Sequence, residues 1–247
     1  MKVLLVGLCG HMGEEVVKLA KAGYRGAEIV AGVDPLANDA DIPCAATFGD
    51  AEKNVDIIID FSHHSLTKAL CAFAMENKLP LVIATTGQDD DEKKAISDAA
   101  KVVPVFYAAN YSIGIALLCE LAKKTAAVMN DAEIEIVEMH HDRKIDAPSG
   151  TALAIADAIK EARPELHNNP GRSGNAKREG NEIGISAVRL GNIVGIHEVL
   201  VGTQNQTITL KHEAHSRALF AEGALAAAEF LIDKKPGLYN MKDMVKF

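Results

Sequence analysis

Short apolar runs alternate with segments of helical periodicity over the first half of the chain. Apolar residues recur at helical spacing from Met12 to Gly23, in Leu66–Asn77 and in Asp89–Ala100, the last with an acidic first turn. The run Ile57-Ile58-Ile59 is β-branched throughout, which is typical of a strand buried on both faces. Strands alternating with helices predict a doubly wound parallel α/β sheet. The predicted strands are Lys2–Val6, Glu28–Val33, Val55–Asp60, Leu81–Ala84 and Val102–Ala108.

The pattern changes near residue 130, which predicts a second, α+β domain. Glu133–Met139 alternates polar with apolar residues, as a strand with one wet face does. Glu165–Gly184 is rich in Asn, Gly and Arg and predicts a long loop. The remaining segments predict helices at Ile113–Met129, Ala152–Ala162 and Ser216–Ile232, and antiparallel strands at Ile183–Arg189, Ile193–Val201 and Thr207–His212.

Composition excludes several classes of function. The 247 residues carry a net charge of −8, only 4% are aromatic and none is Trp, so the chain is poorly suited to phosphate backbones and base stacking. The N-terminal apolar run is too short for a signal peptide, and no stretch is long enough for a membrane span. Four scattered cysteines without a CxxC pair argue against a zinc site or a disulfide framework. We therefore expect a cytoplasmic protein that acts on a small molecule, without nucleic acid or membrane partners.

A glycine-rich turn joins the first strand to the first helix. Gly7, Gly10 and Gly13 are spaced as in dinucleotide-binding turns, where the backbone approaches a pyrophosphate at a helix N-terminus, although Cys9 replaces one glycine of the full motif. Asp34 closes the second strand, where a carboxylate can accept hydrogen bonds from the adenosine ribose. A plain turn beside a surface aspartate is the alternative. Because a carboxylate repels a 2′-phosphate, Asp34 favours NADH over NADPH.

Three polar segments follow the later predicted strands. They are Asp60–His63, Ala84–Gly87 and Ala108–Ser112. In open parallel sheets, ligands bind beyond the carboxyl ends of the strands. The hydroxyls, amide and open backbone of these segments suit a neutral nicotinamide and its ribose, and ordinary polar loops are the alternative.

The segment from Glu138 to Thr151 concentrates ionisable side chains directly after a predicted strand. It contains two histidines, an arginine and a lysine before Pro148-Ser149-Gly150-Thr151 leads into a helix. Helix N-termini bind carboxylates and phosphates, and a histidine can donate a proton near neutral pH. We interpret the segment as a site for a small, multiply carboxylated ligand.

This segment allows two other interpretations. His140, His141 and Asp142 could bind a metal, but adjacent residues of an extended segment point in opposite directions, and the neighbouring cations Arg143 and Lys144 repel one. No metal is therefore predicted. A solvated connector before a capped helix stays open on spacing alone.

The same segment carries a resemblance to a known family. The pattern His140-His141-x-x-Lys144-x-Asp146-Ala147-Pro148-Ser149-Gly150-Thr151-Ala152 resembles the signature of the 4-hydroxy-tetrahydrodipicolinate reductases, also called dihydrodipicolinate reductases, of lysine and diaminopimelate synthesis. The resemblance covers almost the whole chain. Further matching stretches, in order, are Gly7-x-x-Gly10-x-Met12-Gly13, Asp60-Phe61-Ser62, Thr85-Thr86-Gly87, Ala109-Asn110-Tyr111-Ser112-x-Gly114, Gly191-x-Ile193-Val194-Gly195-x-His197 and His212-x-Ala214-x-Ser216-Arg217.

The resemblance implies an architecture and a reaction. It implies a Rossmann-like, doubly wound parallel sheet for residues 1–129 plus 213–247, because the last helix of such proteins packs back on the nucleotide domain. Residues 130–212 would form an α+β domain for substrate binding and oligomerisation, within a homotetramer. The implied reaction is the NAD(P)H-dependent reduction of 4-hydroxy-tetrahydrodipicolinate, a small cyclic dicarboxylate, to tetrahydrodipicolinate.

The resemblance also implies residue roles. His140 would protonate the substrate and Lys144 would hold a substrate carboxylate. Further substrate contacts would come from His141, Ser149, Gly150 and Thr151. Cofactor contacts would come from Gly7, Gly10, His11, Met12, Gly13, Asp34, Phe61, Ser62, Thr85, Thr86, Gly87, Ala108, Ala109, Asn110, Tyr111 and Arg217.

The chain departs from the family pattern mainly at cofactor positions. His63 and Pro35 stand where many members carry arginine, so two partners for a 2′-phosphate are lost. NADH is therefore the expected cofactor in a family that often accepts either nucleotide. Tyr111 and Ala84 replace a usual Phe and Gly. Rival hypotheses are a dehydrogenase of aspartate or homoserine type and a non-catalytic nucleotide sensor.

Overall fold

The structure is a computed structural model that describes residues 1–36 and 41–245. In chain order the strands and helices are β1 (Lys2–Val6), α1 (His11–Lys21), β2 (Glu28–Val33), β3 (Cys44–Ala45), β4 (Ile57–Asp60), α2 (Thr67–Asn77), β5 (Leu81–Ile83), α3 (Asp90–Ala99), β6 (Pro104–Tyr107), α4 (Ile113–Val128), β7 (Glu133–His140), α5 (Gly150–Ala162), β8 (His167–Pro170), β9 (Glu182–Arg189), β10 (Gly195–Gly202), β11 (Thr207–Ala214), α6 (Ala218–Leu231), β12 (Gly237–Tyr239) and α7 (Met241–Met244). The described chain divides into two compact units, residues 1–112 with those from Arg217 on, and Ile113–Ser216.

The first unit is built on a parallel sheet. Its seven described strands lie in the order β3-β2-β1-β4-β5-β6-β12, and every neighbouring pair is parallel. The order reverses between β1 and β4, as in the dinucleotide-binding Rossmann fold. This confirms the predicted Rossmann-like, doubly wound sheet. The β-branched run of β4 is fully buried, as its composition predicts.

Specific contacts explain where α3 begins and how α6 packs in the first unit. The Asp89 side chain accepts the backbone N–H of Glu92, and the Glu92 side chain accepts that of Asp89. This capping box starts α3 at the acidic turn that the sequence predicts. The Ala-rich helix α6 packs against α1 and the central strands. Its small residues allow a close approach, since a Cβ on Gly223 would overlap the carbonyl oxygen of Tyr111.

The second unit contains a mixed sheet in the order β11-β10-β7-β9-β8. Strand β10 is antiparallel to β7 and β11, but β9 is parallel to both β7 and β8. The prediction of an antiparallel strand at Ile183–Arg189 is therefore wrong. After β7 the chain returns through α5, and such a crossover connection produces parallel strands. Strand β8 lies inside the segment Glu165–Gly184, which the sequence predicted to be a loop. The prediction missed this strand because its sequence, His-Asn-Asn-Pro, has no alternation of apolar and polar residues.

One face of this mixed sheet forms a core with two helices. Ile134 and Ile136 of β7 join a cluster with Ile155 and Ile159 of α5 and Leu118 of α4. Helix α4 shares this core, so its contacts group it with the second unit. The sequence-based boundary at residues 129/130 instead assigned that helix to the first domain, and the boundary at 212/213 lies before the observed junction at Arg217.

The structure shows the state of the four cysteines. Cys9, Cys44, Cys71 and Cys119 are free thiols. Burial raises the pKa of the Cys71 thiol to about 12, which keeps it protonated.

Among residues 1–36 and 41–245, no helix combines the length and apolar character that crossing a membrane requires.

Candidate active site

The predicted cofactor segments share one edge of the first sheet. Because its strands are parallel, the loops after β1, β2, β4, β5 and β6 all leave at their carboxyl ends. Backbone hydrogen bonds connect neighbouring loops: Gly7 N–H to the Val33 carbonyl and Phe61 N–H to the Val6 carbonyl, both 2.9 Å. This edge is where open parallel sheets bind their ligands.

The glycine turn has no room for side chains at two positions. Gly7 has φ of 82°, and a Cβ there would lie 2.6 Å from the carbonyl oxygen of Phe61. A Cβ on Gly13 would lie 2.2 Å from the carbonyl oxygen of Gly7, whereas one on Gly10 would meet its nearest atom at 3.4 Å. The N-cap residue of α1 is Gly10, and among the described residues no side chain caps this helix start, so its first N–H groups are not occupied by a capping group there. This cradle fits the pyrophosphate of a dinucleotide.

Asp34 connects the glycine turn to the end of β2. Its Oδ2 accepts the backbone N–H of Cys9 at 3.0 Å, and its Oδ1 accepts that of Leu36 at 2.9 Å. A carboxylate oxygen can accept two hydrogen bonds, so each oxygen keeps capacity for a ribose hydroxyl. The buried carboxylate is therefore held in one orientation at the place where the sequence predicts ribose recognition.

Tyr111 anchors the loop after β6 to the core. Its hydroxyl donates to the carbonyl of Ile83 at 2.7 Å and lies 3.2 Å from that of Phe106. Burial raises the pKa of the Tyr111 phenol well above its ordinary value. Its side chain faces the core, which leaves the backbone of this loop and Asn110 at the sheet edge. The Asn110 side chain accepts the backbone N–H of Ser112 at 2.8 Å.

The other predicted cofactor residues differ in exposure. Ser62 N–H donates to the buried carboxylate of Asp60 at 3.0 Å, and burial raises the pKa of Asp60. Arg217 is exposed immediately before α6. His11, Thr86, Gly87 and Ala109 are exposed, Met12, Phe61, Ser62 and Ala108 are half-buried, and Thr85 is buried.

In the second unit, the buried face of β7 changes from apolar to polar along its length. Ile134, Ile136, Glu138 and His140 are all buried and alternate with partly exposed residues. A strand places every second residue on the same face, so Glu138 and His140 continue the core-facing row. The core face of β7 thus ends in a carboxylate and an imidazole.

Glu138 is surrounded by donors although it is fully buried. Arg189 donates to both carboxylate oxygens, each at 2.8 Å. The carboxylate also lies 2.6 Å from His140 Nδ1 and accepts the backbone N–H of Ser149 at 3.0 Å. Burial by itself would raise the pKa of Glu138, but hydrogen bonds from Arg189, His140 and Ser149 outweigh it and lower the pKa. Glu138 is therefore ionised at neutral pH.

A second buried histidine stands beside His140. His197 Nε2 lies 3.3 Å from the Ser149 hydroxyl. Burial and the proximity of His140 lower the pKa of His197 to about 4. His197 is therefore neutral near pH 7.

The predicted substrate segment joins β7 to α5. Lys144 Nζ lies 2.8 Å from an oxygen of Asp146, and this contact lowers the pKa of Asp146. Ser149 precedes α5, and its hydroxyl accepts the N–H of Ala152 at 3.2 Å. Gly150 is exposed, whereas His141 and Thr151 are half-buried. The segment therefore brings a lysine, a histidine and a helix start to one end of the second unit.

Sequence reasoning did not assign roles to Glu138, Arg189 and His197. Two of them have a signal in the sequence. Glu138 belongs to the row of alternate residues on one face of β7, and His197 lies in one of the stretches that match the family pattern. Arg189 follows Glu138 by 51 residues and has no local signal of its role. Within residues 1–36 and 41–245, no group of three or more His, Cys, Asp or Glu side chains is placed to hold a metal.

Family models and relatives match the whole length. The model described as "Dihydrodipicolinate reductase, N-terminus" matches residues 1–111, and "Dihydrodipicolinate reductase, C-terminus" matches residues 114–245. A 4-hydroxy-tetrahydrodipicolinate reductase of Caldanaerobacter subterraneus subsp. tengcongensis is 46% identical over 248 residues, covering 100% of this chain and 98% of that protein. A protein of the same name from Clostridium novyi is 41% identical and covers 99% and 98%.

Solved structures show similar folds. Dipicolinate-bound dihydrodipicolinate reductase from Paenisporosarcina sp. TG-14 aligns with a TM-score of 0.83 at 26% identity, over 99% of both chains. Aspartate dehydrogenase from Thermotoga maritima aligns with a TM-score of 0.51 at 12% identity, over 95% of this chain and 97% of that one. The second similarity is one of fold alone.

Proposed function

This chain belongs to the dihydrodipicolinate reductase family, and from that premise we propose how its residues divide the work of the reaction. The chain is an oxidoreductase that reduces 4-hydroxy-tetrahydrodipicolinate to tetrahydrodipicolinate with NAD(P)H, in lysine and diaminopimelate biosynthesis. The first unit, built on the Rossmann-like sheet, holds the cofactor in this proposal. The second unit, with the segment between β7 and α5, holds the substrate.

His140 is the proton donor in this proposal. The observation that carries it is the contact of 2.6 Å between its Nδ1 and the buried carboxylate of Glu138. That contact leaves Nε2 as the nitrogen available to a substrate, and the carboxylate stabilises the protonated ring. His140 then delivers its proton from Nε2 as the dehydrated substrate, which has lost its 4-hydroxyl group as water, accepts a hydride.

Lys144 and the start of α5 bind the substrate carboxylates. The Lys144 ammonium exchanges its contact with Asp146 for a substrate carboxylate. Backbone N–H groups at Gly150 and Thr151 attract a second negative charge, as helix N-termini do. Ser149 fixes the position of this helix start through its cap to Ala152, and His141 adds a contact beside it.

The glycine turn and the loops at the sheet edge hold NAD(P)H, which supplies the hydride when bound. Gly7 and Gly13 allow the backbone to approach the pyrophosphate. The remaining contacts in this proposal come from Gly10, His11, Met12, Phe61, Ser62, Thr85, Thr86, Gly87, Ala108, Ala109, Asn110, Tyr111 and Arg217.

NADH is the preferred nucleotide in this proposal. Asp34 is oriented by two backbone N–H groups and carries a negative charge where the adenosine ribose would lie. A 2′-phosphate there would meet that charge at close range. Pro35 and His63 supply no permanent positive charge nearby.

The second unit also assembles a homotetramer in this proposal. The face of the mixed sheet opposite the core carries the partly exposed apolar residues Val137, Met139, Val188, Ile196 and Leu200. Apolar surface of this kind favours association between copies of a chain. The free thiols support a cytoplasmic location, because reducing compartments keep cysteines unpaired.

The experiment measures NADH and NADPH oxidation with freshly generated 4-hydroxy-tetrahydrodipicolinate. We expect His140→Ala to lower kcat by about 100-fold or more, as loss of a general acid does. Lys144→Ala should mainly raise KM for the substrate, by about tenfold or more. His167→Ala and Lys160→Ala, which alter exposed or partly exposed side chains of the same unit, serve as matched controls. Wild-type kinetics in His140→Ala or Lys144→Ala would overturn the assigned roles, and a higher kcat/KM for NADPH would overturn the NADH preference.

A further inference from the structure

The carboxylate of Glu138 has all its acceptor positions filled. Oε1 accepts from Arg189 Nη2 and from the Ser149 N–H, while Oε2 accepts from Arg189 Nη1 and is bonded to His140 Nδ1. A carboxylate has about four lone-pair positions, so no acceptor capacity is left for substrate or water. A fully buried charge is costly unless it is paired in this way. Glu138 therefore acts on the reaction only through its neighbours.

We propose that Glu138 is the positioning residue for His140, and that Arg189 holds the Glu138 carboxylate in the required orientation. This inference rests on the proposed role of His140 as the proton donor. The ionised carboxylate requires a proton on Nδ1 of the His140 ring. The donating nitrogen must then be Nε2, and the ring cannot rotate about its bond to Cβ without losing the contact at 2.6 Å.

Arg189 adds a connection to the substrate segment. Besides its two bonds to Glu138, Nη2 donates to the backbone carbonyl of Asp146 at 2.5 Å. Asp146 in turn contacts Lys144 at 2.8 Å. One guanidinium group thus ties the proton donor to the segment that carries the lysine. A planar, five-donor guanidinium can make these bonds together, whereas an ammonium cannot hold a carboxylate in the same bidentate geometry.

Several charges determine how readily His140 accepts a proton. Glu138 places a negative charge in contact with the His140 ring, and Arg189 on β9 places a positive charge in contact with Glu138. His197 on β10 is neutral near pH 7 and adds no charge there. The titratable or charged groups around the two rings are Glu138, Arg189, His197, His212 and Lys144. The carboxylate is the group in contact with His140 Nδ1, so Glu138→Gln removes the negative charge beside the ring.

A purely structural ion pair is the alternative to a positioning role, and the same sheet offers a matched control. Glu182 on β9 is also buried and pairs with Arg172. It accepts further from the Asn169 side chain at 2.5 Å, and none of these partners is a proposed site residue. Glu182→Gln therefore removes a buried, arginine-paired carboxylate from the same sheet without touching His140.

The main experiment compares Glu138→Gln with Glu182→Gln. We expect Glu138→Gln to lower kcat by about 10- to 100-fold with little change in substrate KM, as loss of an orienting carboxylate does. The basic limb of its kcat/KM profile should move to lower pH by about one unit. In a His140→Ala background, Glu138→Gln should cause no further loss. Glu182→Gln should keep the wild-type profile. An unshifted profile, or an equal loss with and without His140, would overturn the proposal.

Two further measurements do not depend on the folding of Glu138→Gln. In wild-type protein labelled with ¹⁵N-histidine, the His140 resonances, assigned by their loss in His140→Ala, should report a proton on Nδ1 in the neutral ring. A proton on Nε2 instead would overturn the proposal. Arg189→Lys keeps the positive charge but loses the bidentate hydrogen bonds to Glu138. We therefore expect a lower kcat and a shift of the basic limb of the kcat/KM profile in the same direction as in Glu138→Gln. If His140→Ala retains wild-type activity, the proposed role of His140 as the proton donor fails; if only Glu138→Gln and Arg189→Lys do, the positioning role alone fails.

Discussion

The imidazole rings of His140 and His197 meet edge to face, with centroids 5.1 Å apart and planes at 73°. The two rings differ in their surroundings. His197 is buried and neutral with a pKa of about 4, whereas His140 faces a carboxylate. His140 is therefore the ring of the pair that contacts a carboxylate, which distinguishes the proposed proton donor from a neighbour of the same residue type.

The low pKa of His197 predicts a specific acid sensitivity. Between its folded value of about 4 and its ordinary value of 6.5, the unfolded chain binds more protons at this residue. The free energy of unfolding should therefore fall as the pH is lowered through that window, by at most about 1.4 kcal/mol per pH unit. Melting temperatures measured from pH 7 to pH 4 should fall less steeply for His197→Asn than for the wild type. Parallel curves would contradict this, and His167→Asn on the edge strand is the control.

A side chain at Gly195 is expected to have a steric effect on the proposed proton donor. A Cβ at this position would lie 3.2 Å from His140 Nε2, so Gly195→Ala should displace the ring or crowd the nitrogen. We expect kcat to fall about tenfold with little change in melting temperature, because misplacing a reacting group is costly. Gly202→Ala, at the other end of the same strand and 3.3 Å from Thr207 Oγ1, is the matched control. Unchanged kcat in Gly195→Ala would show that the Nε2 side of the ring tolerates the methyl group.

The glycine turn predicts unequal tolerance of alanine. Gly13→Ala would place Cβ 2.2 Å from the Gly7 carbonyl oxygen and 2.5 Å from that of Leu8, both in the backbone. Forcing the turn apart should cost about 1–3 kcal/mol of unfolding free energy and weaken NADH binding. Gly10→Ala, with 3.4 Å to its nearest atom, should melt near the wild-type temperature. Calorimetric melting and NADH titration check both variants, and equal melting temperatures would refute the difference.

The hydroxyl of Tyr111 is expected to contribute to the free energy of unfolding. Tyr111→Phe keeps the ring beside Phe106, at a centroid distance of 5.7 Å, and removes the donor to the Ile83 carbonyl. We expect the free energy of unfolding to fall by about 1 kcal/mol, the typical net value of a hydrogen bond. Urea denaturation measures it. Tyr107→Phe, which removes a hydroxyl bonded to Gln88, is a comparison at a less buried position. A more stable Tyr111→Phe would contradict the assignment.

Local sequence determined much of the fold. The β-branched run of β4, the glycine turn before α1 and the acidic start of α3 each act through residues close together in the chain. Their periodicity and backbone requirements therefore predicted the alternating architecture before any long-range contact was known. The histidine-to-threonine pattern likewise indicated the family and the segment that carries the proposed chemistry.

Tertiary structure decided the direction and the surroundings of these elements. β9 became parallel to β7 because of the path the chain takes through α5, which no pattern within β9 encodes. The same holds for Glu138. Its position in the strand is visible in the sequence, but its charge on a buried face is tolerated only because the guanidinium of Arg189, 51 residues away, donates to both of its carboxylate oxygens. The sequence by itself determined which residues are the candidates for the proposed chemistry. Only the folded chain decided which carboxylate faces the proposed proton donor, because burial and pairing of a charge depend on contacts between distant segments.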